Sequence, residues 1–431
     1  MKDYFSVREN KTTVKIEILA GITTFLAMMY IIVVNPAVLS STGMSFSAVL
    51  TATVLISAFS SIAMGLYANN PIALAPGMGL NAFFAFSVVN GMGVSWPVAL
   101  GAVFWSGVIF LLLSVFNIRT LIVRSIPRPL RFAIAVGIGL FIAVIGLFNA
   151  KFVSVADAGI LSRGAFTPSL LTFIAGLGVT SVLMVKRING ALIIGILFTT
   201  LLAIPIGRLW GEAPVVQWNG FFSAPDFSLL FALDLVHSLR LSLFPVVFAF
   251  VFTDMFDSLS TFIGVAEAGN LMDEKGEPRN LKQSLIVDAL STTIAGLLGS
   301  SAGTSYIESA AGIEEGGRTG LTAVVAGLLF LPFMFFSPLL STIPQIATAP
   351  ALVLVGVFMM QPIKKINWDK LDDAVPAFLA MILIPMTYSI TQGIIWGFLS
   401  WTLIKWISGK KEEISPMLLI VDVFCILALV V

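Results

Sequence analysis

Charge is scarce in this chain. Of its 431 residues only 11% are Asp, Glu, Lys or Arg, where a soluble domain carries about 25%, and that shortage excludes a soluble enzyme. Cysteine and histidine occur once each, as Cys425 and His237, so neither a disulfide framework nor a His/Cys metal cluster can form within one chain. Neither sign of charge dominates. The 24 Lys and Arg against 23 Asp and Glu leave a net charge of +1, which gives nucleic acid no reason to bind. An intramembrane enzyme would need a nucleophile with its base, or a metal. His237 falls in an external connection, and no His-Glu-x-x-His or Gly-x-Ser-x-Gly pattern is present. The first sixteen residues mix charges and lack a short apolar stretch with a cleavage site, so no removable signal is expected.

What the chain has instead is apolar length. Hydrophobic residues make up 58% of it, and a helix of roughly 20 mostly apolar residues crosses a bilayer. Runs near 17–38, 47–67, 72–90, 96–117, 130–148, 167–185, 190–206, 243–266, 284–299, 301–313, 320–337, 343–361, 373–389 and 391–407 predict an all-α polytopic membrane protein of fourteen segments. With the N-terminus cytoplasmic, 20 of the 24 basic residues fall on the cytoplasmic side, among them Lys2, Arg119, Arg124, Lys275 and Lys405. Only Lys151, Arg163, Arg208 and Arg240 do not, a bias that the positive-inside rule expects of a multi-pass plasma or bacterial inner-membrane protein. Residues 415–431 form a further span or, given Asp422 in their middle, a helix lying at the interface.

The third and tenth runs, NPIALAPGMGLNAFFAFSVVNGMG and SSAGTSYIESAAG, carry too much Gly, Pro, Ser and Asn for ordinary lipid-facing helices. Each is third in a set of seven, so the chain divides into two halves, and an odd number of spans makes the second half inverted. Broken segments in corresponding positions of inverted repeats point to a secondary transporter with its site near the midplane. Irregular backbone at that depth is tolerated where it lines a cavity.

Three acids sit at membrane depth: Asp254 and Asp257, three apart in the eighth run and so on one side of a helix, and Glu308 in the tenth. An ionisable group there costs roughly 2.5–3.5 kcal/mol on insertion scales and marks a functional site by default. No basic residue lies at comparable depth, which makes a proton the obvious compensating charge. For Asp257 the alternative is hydrogen bonding to nearby Ser258, Ser260 and Thr261. In the first half Asn81 is expected to occupy the place that Glu308 has in the second, with Phe83 and Phe84 beside it for stacking and Thr23 and Thr24 lining the cavity. Asp288 reads as structural, and Glu314, Glu315 and Arg318 as a gate or a surface ion-pair cluster.

The blocks APGMGLNAFFAF, TDMFDSLSTFIGVAEAGNLMDEKG and GTSYIESAAGIEEGGRTGLTA, with NPAVLSSTGM at the end of the first run, resemble the AzgA-like adenine/guanine/hypoxanthine permeases of the nucleobase:cation symporter-2 family. The resemblance implies fourteen transmembrane segments in two inverted repeats. Core halves would occupy residues 1–128 and 243–340, gate halves 129–210 and 341–410, with a connection over 211–242 and a C-terminal helix over 411–431. It further implies proton-driven import of a purine held between segments three and ten by Glu308, by Asp254 or Asp257, and by Asn81. The core would move against the gate like an elevator, often within a homodimer, with no cofactor beyond the coupling ion, proton or sodium. One departure is Glu314-Glu315, where smaller residues are expected. An anion transporter or channel on the same architecture is the rival, and the acids at 254, 257 and 308 speak against it.

Overall fold

The computed structural model describes residues 4–116, 126–155, 161–209, 216–272 and 277–430. Lys2, Arg119, Arg124 and Lys275 of the charge count lie outside the described residues, as does the side chain of Arg208.

The first half runs α1 (Val14–Met28), α2 (Ile31–Ser40), α3 (Phe46–Ala63), β1 (Leu74–Pro76), α4 (Met78–Ala82), α5 (Trp96–Val115), α6 (Arg128–Asn149), the hairpin strands β2 (Val153–Val155) and β3 (Leu161–Arg163), α7 (Pro168–Val185) and α8 (Ala191–Leu209). The second runs α9 (Phe244–Gly269), α10 (Leu281–Leu298), β4 (Gly303–Ser305), α11 (Ser309–Glu314), α12 (Gly320–Phe330), α13 (Gln345–Met359), α14 (Leu371–Thr387), α15 (Ile390–Ile407) and α16 (Pro416–Val430). Starts follow local chemistry. Thr13, Ser45 and Thr167 accept from the N–H groups of Ile16, Ala48 and Leu170 as N-caps, and Pro97, Pro129, Pro168 and Pro245 stand in first turns, where a missing N–H costs nothing.

Among the described residues seven helical stretches are long and apolar enough to cross a membrane: 14–40, 46–68, 96–115, 128–149, 168–185, 241–269 and 345–365. Shorter apolar helices cover 78–91, 191–205, 320–335 and 416–430.

The helices pack in two groups. α1 lies against α11 and α12, α3 against α2 and α12, and α5 against α9 and α10. Separately, α6 lies against α13 and α14, α7 against α8 and α13, and α14 against α15. The third and tenth runs are broken as expected. β1 pairs antiparallel with β4, with Leu74 opposite Ser305 and Pro76 opposite Gly303. Each strand leads straight into a short helix, α4 or α11, at the centre of the first group.

Two charged residues are buried at the C-terminal end. Lys405 sits 1% exposed on α15, with its Nζ 2.7 Å from Asp372, 2.8 Å from Asp373 and 2.7 Å from Glu413. A buried ammonium needs such partners. Asp422 is buried against a neighbouring helix. α16 packs on α15, and the Thr402 hydroxyl donates to buried Asp422 at 2.6 Å.

Candidate functional site

The strand pair builds the site. Tyr306 N–H donates to the carbonyl of Ala73 at 3.0 Å and Gly77 N–H to that of Ala302 at 2.9 Å, extending the two-stranded ladder at both ends. The Tyr306 hydroxyl then donates to the carbonyl of Pro76 at 2.6 Å, closing the crossing point.

A cavity of about 60 Å³ opens beside this crossing. Asp257 and Thr261 of α9 line it, with Tyr30, Gly77–Gly79, the stretch from Thr304 to Glu308, and Val355, Phe358 and Met359 of α13. One wall therefore belongs to the first group of helices and the other to the second. No Lys, Arg or His is among the lining residues. The Tyr30 hydroxyl donates to Oε1 of Glu308 at 2.7 Å.

The acids divide into two pairs. Asp257 and Glu308 face the cavity and are each partly exposed. Asp254 and Asp288 are fully buried behind it, 1% and 0% exposed. The Thr292 hydroxyl donates to Asp254 Oδ2 at 2.6 Å. Ser258 donates to Asp288 Oδ2 and lies 2.9 Å from the Thr304 hydroxyl, while Ser305 N–H donates to Asp288 Oδ1 at 3.1 Å. The nearby hydroxyls thus serve Asp254 and Asp288 rather than Asp257. A spacing of three leaves about 60° between side chains around a helix, which suffices to put Asp257 in the cavity and Asp254 behind it.

The remaining expected site residues lie outside this cavity. Asn81 is buried in α4, accepting from the Ser301 hydroxyl, with its Nδ2 3.9 Å from Met78 Sδ. Counted from the strand ends, Glu308 is three residues past Ser305, and the position three past Pro76 is Gly79, not Asn81. Gly79 lines the cavity, and a Cβ there would come within 2.4 Å of Ile138 on α6. Phe83 packs edge-on against Phe250, centroids 4.9 Å apart, and Phe84 is fully buried. Thr24 is buried where α1 crosses α11, and a Cβ at Gly312 would stand 2.1 Å from its hydroxyl. Arg318 donates to the carbonyls of Ile313 and Gly317, both at 2.7 Å, rather than to Glu314 or Glu315.

Tyr30 and Tyr306 are the residues that pattern reasoning passed over, while Asp288, read as structural, supports β4 from behind. Tyr30 had a signal: a phenol in the middle of an otherwise apolar run is a polar group that must find a partner.

Residues 15–395 match the sequence pattern of the Permease family, Xan_ur_permease. The chain belongs to this family. The permease is 44% identical over 429 residues to the adenine permease AdeP of Escherichia coli, covering 99% of this chain and 95% of that one. It is 41% identical over 429 residues to the guanine/hypoxanthine permease PbuO of Bacillus subtilis, covering 96% and 97%. These relatives are transporters, not enzymes. In fold the permease resembles the transmembrane domain of the cyanobacterial bicarbonate transporter BicA, with a TM-score of 0.64 over 89% of this chain and 97% of that one at 15% identity. It also resembles the murine anion transporter Slc26a9 in its inward-facing state, with a TM-score of 0.64 over 96% and 69% at 11% identity.

Proposed function

We propose that the permease imports purine nucleobases, hypoxanthine, guanine or adenine, in symport with protons. The observation that carries this is Asp257 and Glu308 in one cavity at the strand crossing, with no cation among its lining residues. Two carboxylates there accept the N–H groups of a planar base, and a proton taken up with the base supplies the missing positive charge. The names of the relatives, adenine and guanine/hypoxanthine permeases, support this substrate class. The anion carriers share the fold only, at 11–15% identity, and an all-acid pair is the wrong lining for an anion.

Fourteen segments in two inverted repeats fit the element order, with the half-helices α4 and α11 counted as the third and tenth segments. The first packing group is the core and the second the gate, and the cavity lies between them. A base bound at the strand crossing meets α13 on the opposite wall, and movement of core past gate carries it across as an elevator. Ile307 and Phe358, 45% and 36% exposed, form the open rim. With the N-terminus cytoplasmic, the end of α13 that bears Phe358 faces the cytoplasm, where release occurs. The membrane is the bacterial inner membrane or its plasma-membrane counterpart, and a homodimer is the working assembly.

Equilibrium binding of labelled hypoxanthine, guanine and adenine to the purified protein tests the site. We expect one or more to bind wild type, and Glu308→Gln to lose at least about 10-fold, as a charge-assisted bond predicts. Binding of none of the three by folded protein contradicts the proposal.

A further inference from the structure

Tyr30 occupies the joint between α1 and α2, the residue immediately before Ile31, and the break directs its ring into the cavity. It is 1% exposed, so its hydroxyl needs a partner, which is Oε1 of Glu308 at 2.7 Å. Among the described residues no other side chain donates to that carboxylate. The phenol takes one of the two acceptor positions of Oε1, which weakens that oxygen for a ligand donor, while Oε2 receives no side-chain donor and is the freer of the two.

This arrangement bears on which base binds. A carboxylate grips two parallel N–H donors only when both its oxygens are available. Guanine carries such an edge, its ring N1–H beside the 2-amino group. Hypoxanthine has the same N1–H without the amino group, and adenine has no N1–H.

We propose that Tyr30 is a specificity-determining residue: by engaging Oε1 of Glu308 it weakens a two-pronged contact with guanine and holds guanine and hypoxanthine to similar affinity. This rests on the nucleobase reading of the site. The second donor of a bound base goes to Asp257, which lines the same cavity from α9. Removing the hydroxyl frees both oxygens of Glu308 and favours the base with two adjacent donors.

The test is competition of unlabelled guanine and hypoxanthine against labelled hypoxanthine, bound to purified wild-type and Tyr30→Phe protein. In the wild type the two bases should compete within a few-fold of each other. In Tyr30→Phe the ratio should move toward guanine by about 10-fold, the discrimination a good bidentate pair supplies. An unchanged ratio, with both affinities falling together, would show that Tyr30 merely supports the site and would overturn the inference. So would a strong guanine preference in the wild type, a result that needs no variant. Wild-type protein binding neither of these bases nor adenine overturns the nucleobase reading itself, whereas wild-type binding with an unchanged ratio removes only the role of Tyr30.

Discussion

Ser305 gives its backbone N–H to Oδ1 of Asp288, 3.1 Å away on α10, and this bond holds β4 from behind while Glu308 works from its front. Asp288 also takes the Ser258 hydroxyl on its other oxygen. Asp288→Ala takes the acceptor from the buried Ser305 N–H, at about 1–3 kcal/mol, and leaves the Ser258 hydroxyl to Asp254 Oδ1 at 3.3 Å. It should lower the melting temperature and abolish base binding. Asp288→Asn keeps one acceptor oxygen and should retain more of both. Thermal unfolding and base binding of the two variants check this; equal loss in both would assign the role to charge instead.

Glu17 is fully buried on α1, and caps a helix some 300 residues later. It accepts from the N–H groups of Arg318 and Thr319, at 2.9 and 3.3 Å, and from the Thr322 hydroxyl at 2.6 Å, all at the start of α12. Replacing it with Ala should destabilise the fold by about 2 kcal/mol, the upper end for a lost helix cap. Glu17→Gln should cost less. Denaturation in detergent reads both, and wild-type stability in Glu17→Ala contradicts the cap.

The Ser87 hydroxyl, in the stretch after α4, donates to the carbonyl of Tyr388, at the joint between α14 and α15. Under the proposed division this bond ties core to gate. An elevator stroke must break it. Ser87→Ala should change the rate of uptake severalfold while base affinity at equilibrium stays the same. A change in affinity with unaltered rate would refute the tie.

Asp226, in the connection between the halves, accepts from Ser228 N–H at 2.9 Å and from the hydroxyls of Ser47 and Ser45 at 2.7 and 3.1 Å. Desolvation pushes its carboxyl up, but these hydrogen bonds outweigh it and hold it below the usual carboxylate range. A carboxyl depressed by folding contributes stability above its unfolded pKa and loses it as pH falls through the folded one. Asp226→Asn should therefore flatten the decline in melting temperature below about pH 4. An identical pH profile for variant and wild type would show that Asp226 contributes nothing.

Much of the architecture was legible because membrane depth makes composition informative. Apolar runs located the helices, and the Gly, Pro and Ser of the third and tenth runs located the broken segments whose strands meet at Leu74 and Ser305. Asp257 and Glu308 stood out because acids at that depth need a reason. What did not show was which way side chains face within a few residues. Asp254 and Asn81 belong to the same segments as the cavity, yet each is turned to a hydroxyl behind it. Thr24 and Phe83 likewise serve helix contacts, and no periodicity distinguishes a threonine at a crossing from one at a site. Tyr30 depends on the joint between α1 and α2, a tertiary feature that an apolar run conceals.

Proteoliposome uptake tests the central claim most directly. Labelled hypoxanthine, guanine and adenine would be offered with an inward proton gradient, with a sodium gradient, and with neither, to wild type and Glu308→Gln. The account predicts accumulation of a purine under the proton gradient alone, lost in Glu308→Gln. Absence of purine uptake under every gradient, in protein shown to be folded, would contradict it.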